Sequence, residues 1–145
     1  MMLPFIKSSS RLNPNLLKIG TRLGDGSFAI VYEGQWKQEK VAIKIFSQFL
    51  VDEPEKEIVI FDYIKSKSLY HENVIKYFGF VKFSYQFALV IELMNGGSLS
   101  FALRGSNPLN HNQKVECCLQ IAKGLSFLHQ NNILHGDLAA RNCLV

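Results

Sequence analysis

The hydrophobic pattern of this chain changes its period at one place, and that change limits the folds open to it. Five short apolar segments before Asn95 are bounded by turn residues and read as strands. Asn95-Gly96-Gly97-Ser98 then interrupts the chain, and apolar residues recur at helical spacing from there to His129. The sequence therefore predicts an α+β fold in which a strand-rich part precedes a helical part.

The strand-rich part is predicted to contain five strands and one helix. The strands cover Leu16–Gly20, Ala29–Glu33, Lys40–Phe46, Ile75–Val81 and Phe87–Glu92. After Pro54, which the first turn of a helix tolerates, Ile58, Phe61 and Ile64 recur three residues apart. This spacing predicts a helix between the third and fourth strands.

Composition sets further limits. The prolines and serines of residues 1–15 predict a flexible N-terminal segment, and its opening MMLPFI is too short for a secretory signal. No apolar run approaches the ~20 residues that span a bilayer, so we expect an intracellular, cytoplasmic protein without a membrane segment. The net charge of +4 comes from dispersed lysines, which favours a solvated surface over nucleic-acid binding. Cys117, Cys118 and Cys143 are odd in number, so disulfides and a structural zinc site are not expected.

A glycine-rich segment, Gly24-Asp25-Gly26-Ser27-Phe28-Ala29, lies between two predicted antiparallel strands. Glycines there allow backbone N–H groups to approach phosphate oxygens, although an ordinary hairpin turn has the same pattern. It is not a dinucleotide fingerprint, because a strand and not a helix follows it. The missing Gly-Lys-Ser/Thr also excludes a Walker loop.

Two further groups of residues carry chemistry. Lys44 ends an apolar strand and is either an edge residue or a phosphate-binding cation, with Glu57, Glu53 or Glu55 as its candidate acid. In His135-Gly136-Asp137-Leu138-Ala139-Ala140-Arg141-Asn142, an acid, an arginine and an amide lie within eight residues. Asp137 can accept a hydroxyl proton, Arg141 can stabilise phosphate charge and Asn142 can hold a metal ion. Polar capping residues are the alternative interpretation.

Taken in order, these segments resemble a eukaryotic protein kinase. The resemblance also rests on Val41-Ala42-Ile43-Lys44, His71-Glu72-Asn73-Val74-Ile75 and Glu92-Leu93-Met94, and it covers residues 16–145. It implies a five-stranded antiparallel small lobe with one helix over residues 16–94. Residues 95–145 would form the hinge and the first helices of an incomplete large lobe.

The resemblance implies ATP and Mg²⁺ as cofactors and a role for each matching residue. The ATP-binding residues would be Leu23, Gly24, Gly26, Ser27, Phe28, Val31, Ala42, Lys44, Glu57, Ile91, Glu92, Met94 and Leu144. Lys44 would contact phosphates and pair with Glu57. Asp137 would be the catalytic base, assisted by Lys44 and Arg141, and Asn142 would be a magnesium ligand.

The implied reaction is transfer of the ATP γ-phosphate to a protein hydroxyl. Asp-Leu-Ala-Ala-Arg-Asn resembles tyrosine kinases, whereas Val41–Phe46 and His-Glu-Asn-Val also resemble tyrosine-kinase-like serine/threonine kinases. We therefore favour tyrosine as the acceptor. A catalytically inactive, kinase-like binding or regulatory module is the alternative function.

The sequence departs from the family pattern in four places. Ala29 stands at the third loop glycine, Gly136 replaces the arginine of His-Arg-Asp, and the stretch between Glu57 and His71 is a few residues longer than the family pattern. In addition, no Asp-Phe-Gly occurs before Val145. We therefore expect a fragment truncated after the catalytic loop, with negligible phosphotransfer on its own. A partner or the missing part of the large lobe would cover the apolar face of the helix over residues 115–129. The segment Cys143–Val145 is expected to lack a pairing partner.

Overall fold

The structure is a computed structural model that describes residues 10–26, 28–47, 53–83 and 86–145. The chain divides into two compact units. The first comprises the chain up to Tyr70 together with Ile75–Leu93, and the second comprises His71–Val74 together with Met94–Val145.

A five-stranded antiparallel sheet forms the centre of the first unit. Its strands are β1 (Leu17–Asp25), β2 (Ala29–Trp36), β3 (Glu39–Phe46), β4 (Tyr77–Lys82) and β5 (Phe87–Glu92), in the spatial order β1-β2-β3-β5-β4. Helix α1 (Glu53–Ser66) lies between β3 and β4 in the chain. The predicted five strands and inserted helix are confirmed. The main difference is β1, which continues past its predicted end at Gly20 and into the glycine-rich segment as far as Asp25.

Both faces of this sheet are apolar, because successive side chains of a strand point to opposite sides. On one face, Phe46 and Leu89 pack with Ile58 of α1. On the other face, Val41, Ile43 and Val90 form a second buried cluster. Burial on two faces explains why β3 and β5 read as nearly continuous apolar runs and do not alternate with polar residues.

The described part of the N-terminal segment is held against the sheet. Phe80 N–H donates to Ser10 O at 3.0 Å, and Leu12 N–H donates to Phe80 O at 2.8 Å, so this segment pairs with the outer edge of β4. Leu12 also packs against the second cluster, and a 3₁₀ turn over Pro14–Leu16 leads into β1. An apolar contact and an open strand edge thus position the described part of this segment, and its flexibility stays a prediction. Residues 1–9 lie outside the described residues.

One aromatic residue connects α1 to β4. Tyr77 is buried, its ring stacks on Phe61 with centroids 5.0 Å apart, and its hydroxyl donates to Asp62 Oδ1 at 3.1 Å. Burial, and then the neighbouring Asp62 carboxylate, raise the pKa of Tyr77 well above its ordinary range because both disfavour the tyrosinate. The contact fixes the helix that carries Glu57.

We expect Tyr77 to make the stability of the protein sensitive to alkaline pH. The unfolded chain releases the proton at about pH 10 and the folded chain only above that value, so this contribution is complete below pH 10 and is lost as the pH rises further. Tyr77→Phe should lower the free energy of unfolding by about 1 kcal/mol at pH 7.5, because Asp62 loses its donor. It should also reduce the loss of stability between pH 7.5 and pH 10.5.

Urea unfolding at the two pH values tests this expectation. Tyr70→Phe is the matched control, since Tyr70 is 75% exposed and should leave both the stability and its pH dependence unchanged. An alkaline loss of stability that is the same in Tyr77→Phe and the unsubstituted chain would contradict the assignment.

Among the described residues, the second unit contains two α-helices, α2 (Leu99–Arg104) and α3 (His111–Gln130). The Ser98 hydroxyl caps α2, and Asn110 and Gln113 form a reciprocal capping box at the start of α3. His71 packs on Phe127 of α3 with ring centroids 5.0 Å apart. None of the described helices combines the length and the apolar character that crossing a bilayer requires.

The segment Cys143–Val145 has a pairing partner, so that expectation is wrong. Leu144 forms a bridge with Ser98, and Leu99 N–H donates to Cys143 O at 2.7 Å. Gly96 N–H also donates to Val145 O at 2.8 Å, and Val145 N–H donates to Gly97 O at 3.0 Å. The segment Asn95-Gly96-Gly97-Ser98, which marks the boundary in the sequence, thus contains the pairing partner of Cys143–Val145.

The apolar face expected on the helix before His129 is divided in the structure. Leu128 and Gly124 of α3 are buried within the second unit, whereas Val115 and Leu119 are exposed. Exposed apolar side chains are therefore concentrated in the N-terminal half of α3.

Candidate functional site

The glycine-rich segment forms the connection between β1 and β2. Gly26 N–H donates to Ala29 O at 2.8 Å and closes the loop. A Cβ atom added at Gly24 would lie more than 4 Å from every group other than its chain neighbours, so this side of the loop is open. Leu23 and Phe28, on either side of the glycines, are exposed, and Ser27 lies outside the described residues.

The strand register brings five of the predicted ATP-binding residues to one face of the sheet. Gly24 is paired with Val31, and Val31 is paired with Lys44 on the next strand. Ala42 lies two residues before Lys44 and is paired with Ile91. Residues that are directly paired, or two apart on one strand, share a face, so the loop, the apolar residues and the lysine lie on the side that α1 covers.

Lys44 forms an ion pair with Glu57 of α1. Its Nζ donates to both carboxylate oxygens, at 2.9 Å to Oε1 and 2.7 Å to Oε2. Both side chains are half-buried, and Nζ also lies 4.9 Å from the centre of the Phe46 ring. Ile58, the next residue of α1, is fully buried, which fixes the turn of the helix that carries Glu57. The pair presents a positioned cation beside the glycine loop, as phosphate binding requires.

The segment from His135 to Asn142 folds around Asp137 in the second unit. Arg141 Nη2 donates to Asp137 Oδ1 at 2.6 Å, and Asn142 Nδ2 donates to Asp137 Oδ2 at 2.8 Å. Asn142 Nδ2 also contacts the backbone oxygen of Asp137 at 2.8 Å, and Asp137 N–H donates to His135 Nδ1 at 3.3 Å. Gly136 allows this turn because its φ of 74° is in the left-handed region.

These contacts determine the charge state of Asp137. The hydrogen bond from Asn142 lowers the pKa of Asp137, and the charge and hydrogen bond of Arg141 act in the same direction. Asp137 is therefore a carboxylate at neutral pH. Because it is exposed, it can accept a hydrogen bond from a hydroxyl group that approaches from solvent.

The donor atoms beside Asp137 suit magnesium. The amide nitrogen of Asn142 donates hydrogen bonds to Asp137, so the amide oxygen is the Asn142 atom that can coordinate a magnesium ion. Oxygen ligands are those that Mg²⁺ prefers, and it often takes only one or two from the protein. No group of three or more metal-binding side chains occurs among the described residues, so phosphate oxygens and water would complete the coordination.

The remaining predicted site residues are Glu92, Met94 and Leu144. Glu92 N–H donates to Lys76 O at 2.9 Å, so the backbone carbonyl is the Glu92 group that can meet a ligand. Met94 and Leu144 belong to the second unit, where Leu144 pairs with Ser98. Their contribution to nucleotide binding stays a prediction. Asp62 and Tyr77 belong to no sequence motif, so neither residue could be singled out from the sequence.

Known proteins similar to this chain are protein kinases. A family model described as protein tyrosine and serine/threonine kinase matches residues 17–145. A Dictyostelium discoideum protein named probable serine/threonine-protein kinase gdt4 is 33% identical over 139 residues, which are 94% of this chain and 8% of that protein. The mouse cytoplasmic tyrosine-protein kinase BMX is 34% identical over 126 residues, 85% of this chain and 19% of that protein.

The serine/threonine-protein kinase STY46 of Arabidopsis thaliana is also similar, with 34% identity over 143 residues, 92% of this chain and 24% of that protein. The chain thus spans a quarter or less of the length of these relatives. The family match covers nearly all described residues of both units. The family match over residues 17–145 and the five-stranded sheet show that this chain belongs to the protein tyrosine and serine/threonine kinase family.

Proposed function

We propose that this chain is part of a protein kinase that transfers the γ-phosphate of ATP to a protein hydroxyl, with tyrosine as the preferred acceptor. The observation that carries the proposal is the Lys44–Glu57 ion pair beside the glycine loop, with Nζ within 2.9 Å of both carboxylate oxygens. A cation held in this way serves phosphate binding, whereas a solvent-exposed edge lysine would not need a half-buried acid.

Val31, Ala42 and Ile91 provide an apolar surface on the same face of the sheet as Lys44. In the proposed complex they contact the adenine, and the backbone N–H groups of the glycine loop approach the phosphates. Lys44 binds the α- and β-phosphate oxygens while Glu57 keeps its ammonium group in place. This arrangement would orient the terminal phosphate for transfer.

The chemical step places Asp137 at the acceptor hydroxyl. The hydroxyl oxygen attacks the γ-phosphorus, the bond from that phosphorus to the β-phosphate oxygen breaks, and ADP leaves. Asp137 accepts the hydroxyl proton, and Arg141 stabilises phosphate charge. Magnesium, held by Asn142 and phosphate oxygens, would supply further charge neutralisation.

The preference for tyrosine rests on Asp137-Leu138-Ala139-Ala140-Arg141-Asn142 and is the finer part of the proposal. The relatives include kinases named for tyrosine and kinases named for serine and threonine. The proposed site of action is the cytoplasm, where ATP is available. One relative, BMX, is named as a cytoplasmic kinase.

A transfer assay on the protein isolated from its source, at the length at which it is made, tests this function. With radiolabelled ATP, a tyrosine-containing polymer should be labelled, and phosphoamino-acid analysis of a mixed protein substrate should give mainly phosphotyrosine. Phosphoserine or phosphothreonine alone would contradict the acceptor preference. ATP binding without any transfer would support the regulatory module instead of the kinase.

The 145-residue chain by itself is expected to transfer phosphate no faster than its Lys44→Met variant. One reason is that the described residues include a single predicted magnesium ligand, Asn142. A second reason is that Val115 and Leu119 of α3 are exposed to solvent. We expect a partner, or the later part of a kinase large lobe, to cover these apolar side chains. Transfer to peptide clearly above the Lys44→Met background would contradict this expectation.

A further inference from the structure

An ion pair joins two side chains of β1 at the entrance to the glycine loop. Arg22 Nε donates to Asp25 Oδ1 at 2.7 Å, and Arg22 Nη2 bonds to the same oxygen. Both side chains are more than half exposed, at 54% and 58%. Asp25 lies between Gly24 and Gly26, the two glycines assigned above to the phosphates.

This contact depends on an irregularity in the strand. In a regular strand, residues three apart point to opposite faces, so Arg22 and Asp25 would not meet. The pairing of β1 with β2 shifts between Ile19 and Arg22 and again between Arg22 and Gly24. These shifts change the alternation of side chains, as β-bulges do, and they bring the guanidinium group to the carboxylate.

The position of Asp25 creates an electrostatic problem for the proposed ligand. Asp25 is paired with Ile30 and Arg22 with Tyr32, so both side chains leave the sheet on the face opposite to Val31 and Lys44 and do not touch the proposed phosphate position. ATP carries several negative charges on its phosphates, and a carboxylate in the loop that covers them repels the ligand through space. An adjacent guanidinium group neutralises that carboxylate and holds it toward the strand. The hydrogen bond to Asp25, and then the charge of that carboxylate, raise the pKa of Arg22. A guanidinium group is protonated at every pH at which the protein is folded, so the cation is always present.

We propose that Arg22 is a positioning residue that neutralises Asp25, so that the glycine loop accepts a triphosphate. The proposal rests on the proposed nucleotide binding. The proposal goes beyond nucleotide binding because it gives a role to Arg22, which contacts the loop carboxylate and not the nucleotide. It also gives the loop a specificity, since the benefit of neutralising Asp25 grows with the number of phosphate charges.

Affinities for ATP, ADP and adenosine, measured by calorimetry on the 145-residue chain, test the proposal. Arg22→Ala should weaken ATP binding by about fivefold and ADP binding by about twofold, and leave adenosine binding unchanged. The double variant Arg22→Ala with Asp25→Asn should regain the ATP affinity of the unsubstituted chain. Raising the salt concentration to about 1 M, where the screening length is about 3 Å, should remove most of the difference.

Two control variants separate this role from simpler ones. Lys18→Ala removes the same charge from an exposed position of β1 outside the ion pair, so it measures the effect of net charge alone. Arg22→Lys keeps the positive charge and should retain most of the ATP affinity.

Each outcome decides the proposal. Graded loss from ATP to adenosine, with rescue by the double variant, supports it. Equal weakening for all three ligands would show a structural role and overturn it, as would an ATP affinity that Arg22→Ala leaves unchanged or changes no more than Lys18→Ala does. Failure of the unsubstituted chain to bind ATP would overturn the proposed nucleotide binding and this inference together, whereas normal binding with no graded loss would overturn this inference alone.

Discussion

Replacing Ile58 by alanine is expected to lower the free energy of unfolding by about 3 kcal/mol. Ile58 is 0% exposed and packs with Phe46, Tyr77 and Leu89 in the cluster between α1 and the sheet. Removing buried methyl groups loses their transfer free energy and leaves a cavity, which together cost about 2–5 kcal/mol. The effect is large because Ile58 is the one buried residue of α1 among those whose burial the structure describes.

The neighbouring residue provides the matched control for this measurement. Val59 is 42% exposed on the same turn of α1, so Val59→Ala should change the free energy of unfolding by less than about 0.5 kcal/mol. Chemical unfolding of both variants followed by circular dichroism gives the comparison. Equal effects of the two substitutions would mean that α1 does not pack on the sheet through Ile58.

The second large effect is expected at Gly34 of β2, where there is no room for a side chain. A Cβ atom there would lie 2.2 Å from Ile43 Cδ1 and 2.7 Å from the backbone oxygen of Lys18. Ile43 is fully buried and Lys18 belongs to the neighbouring strand, so neither atom can move away without disturbing the sheet. Gly34→Ala should therefore destabilise the protein by about 3 kcal/mol.

Gly24→Ala is the control, because a Cβ atom at that position meets nothing within 4 Å. We expect its unfolding midpoint in urea to stay close to that of the unsubstituted chain. An unchanged midpoint in Gly34→Ala would contradict the close approach of β1, β2 and β3 described above.

Much of the fold can be predicted from local patterns. The limits of β5 are those that its apolar run predicts, and α1 follows from the spacing of Ile58, Phe61 and Ile64. Local patterns do not show which distant segments pair. The pairing of residues 96–99 with Cys143–Val145 joins segments more than forty residues apart, and each reads separately as a loop or a chain end.

In the candidate site, too, local patterns identify some residues, whereas the pairing of others depends on packing. The motif around Lys44 identifies the lysine, but sequence spacing alone leaves Glu53, Glu55 and Glu57 as alternatives for its partner. The ion pair in the structure is with Glu57, because the burial of Ile58 determines which side of α1 faces the sheet.

The contact between Arg22 and Asp25 could not be predicted in this way. Period-two alternation places residues three apart on opposite faces of a strand, and the shifts in pairing that bring these two together depend on β2. The hydrogen bond between Tyr77 and Asp62 likewise depends on how α1 packs against β4.

The central claim is that Lys44, paired with Glu57, makes this chain a nucleotide-binding part of a protein kinase. Calorimetric titration with ATP and magnesium tests this claim most directly. We predict saturable binding with one ATP per chain. Lys44→Met should weaken that binding by at least about tenfold, because a charge-assisted contact to phosphate is lost. Circular dichroism should show that the variant is folded. No binding by the unsubstituted chain, or equal binding by a folded Lys44→Met variant, would contradict the account.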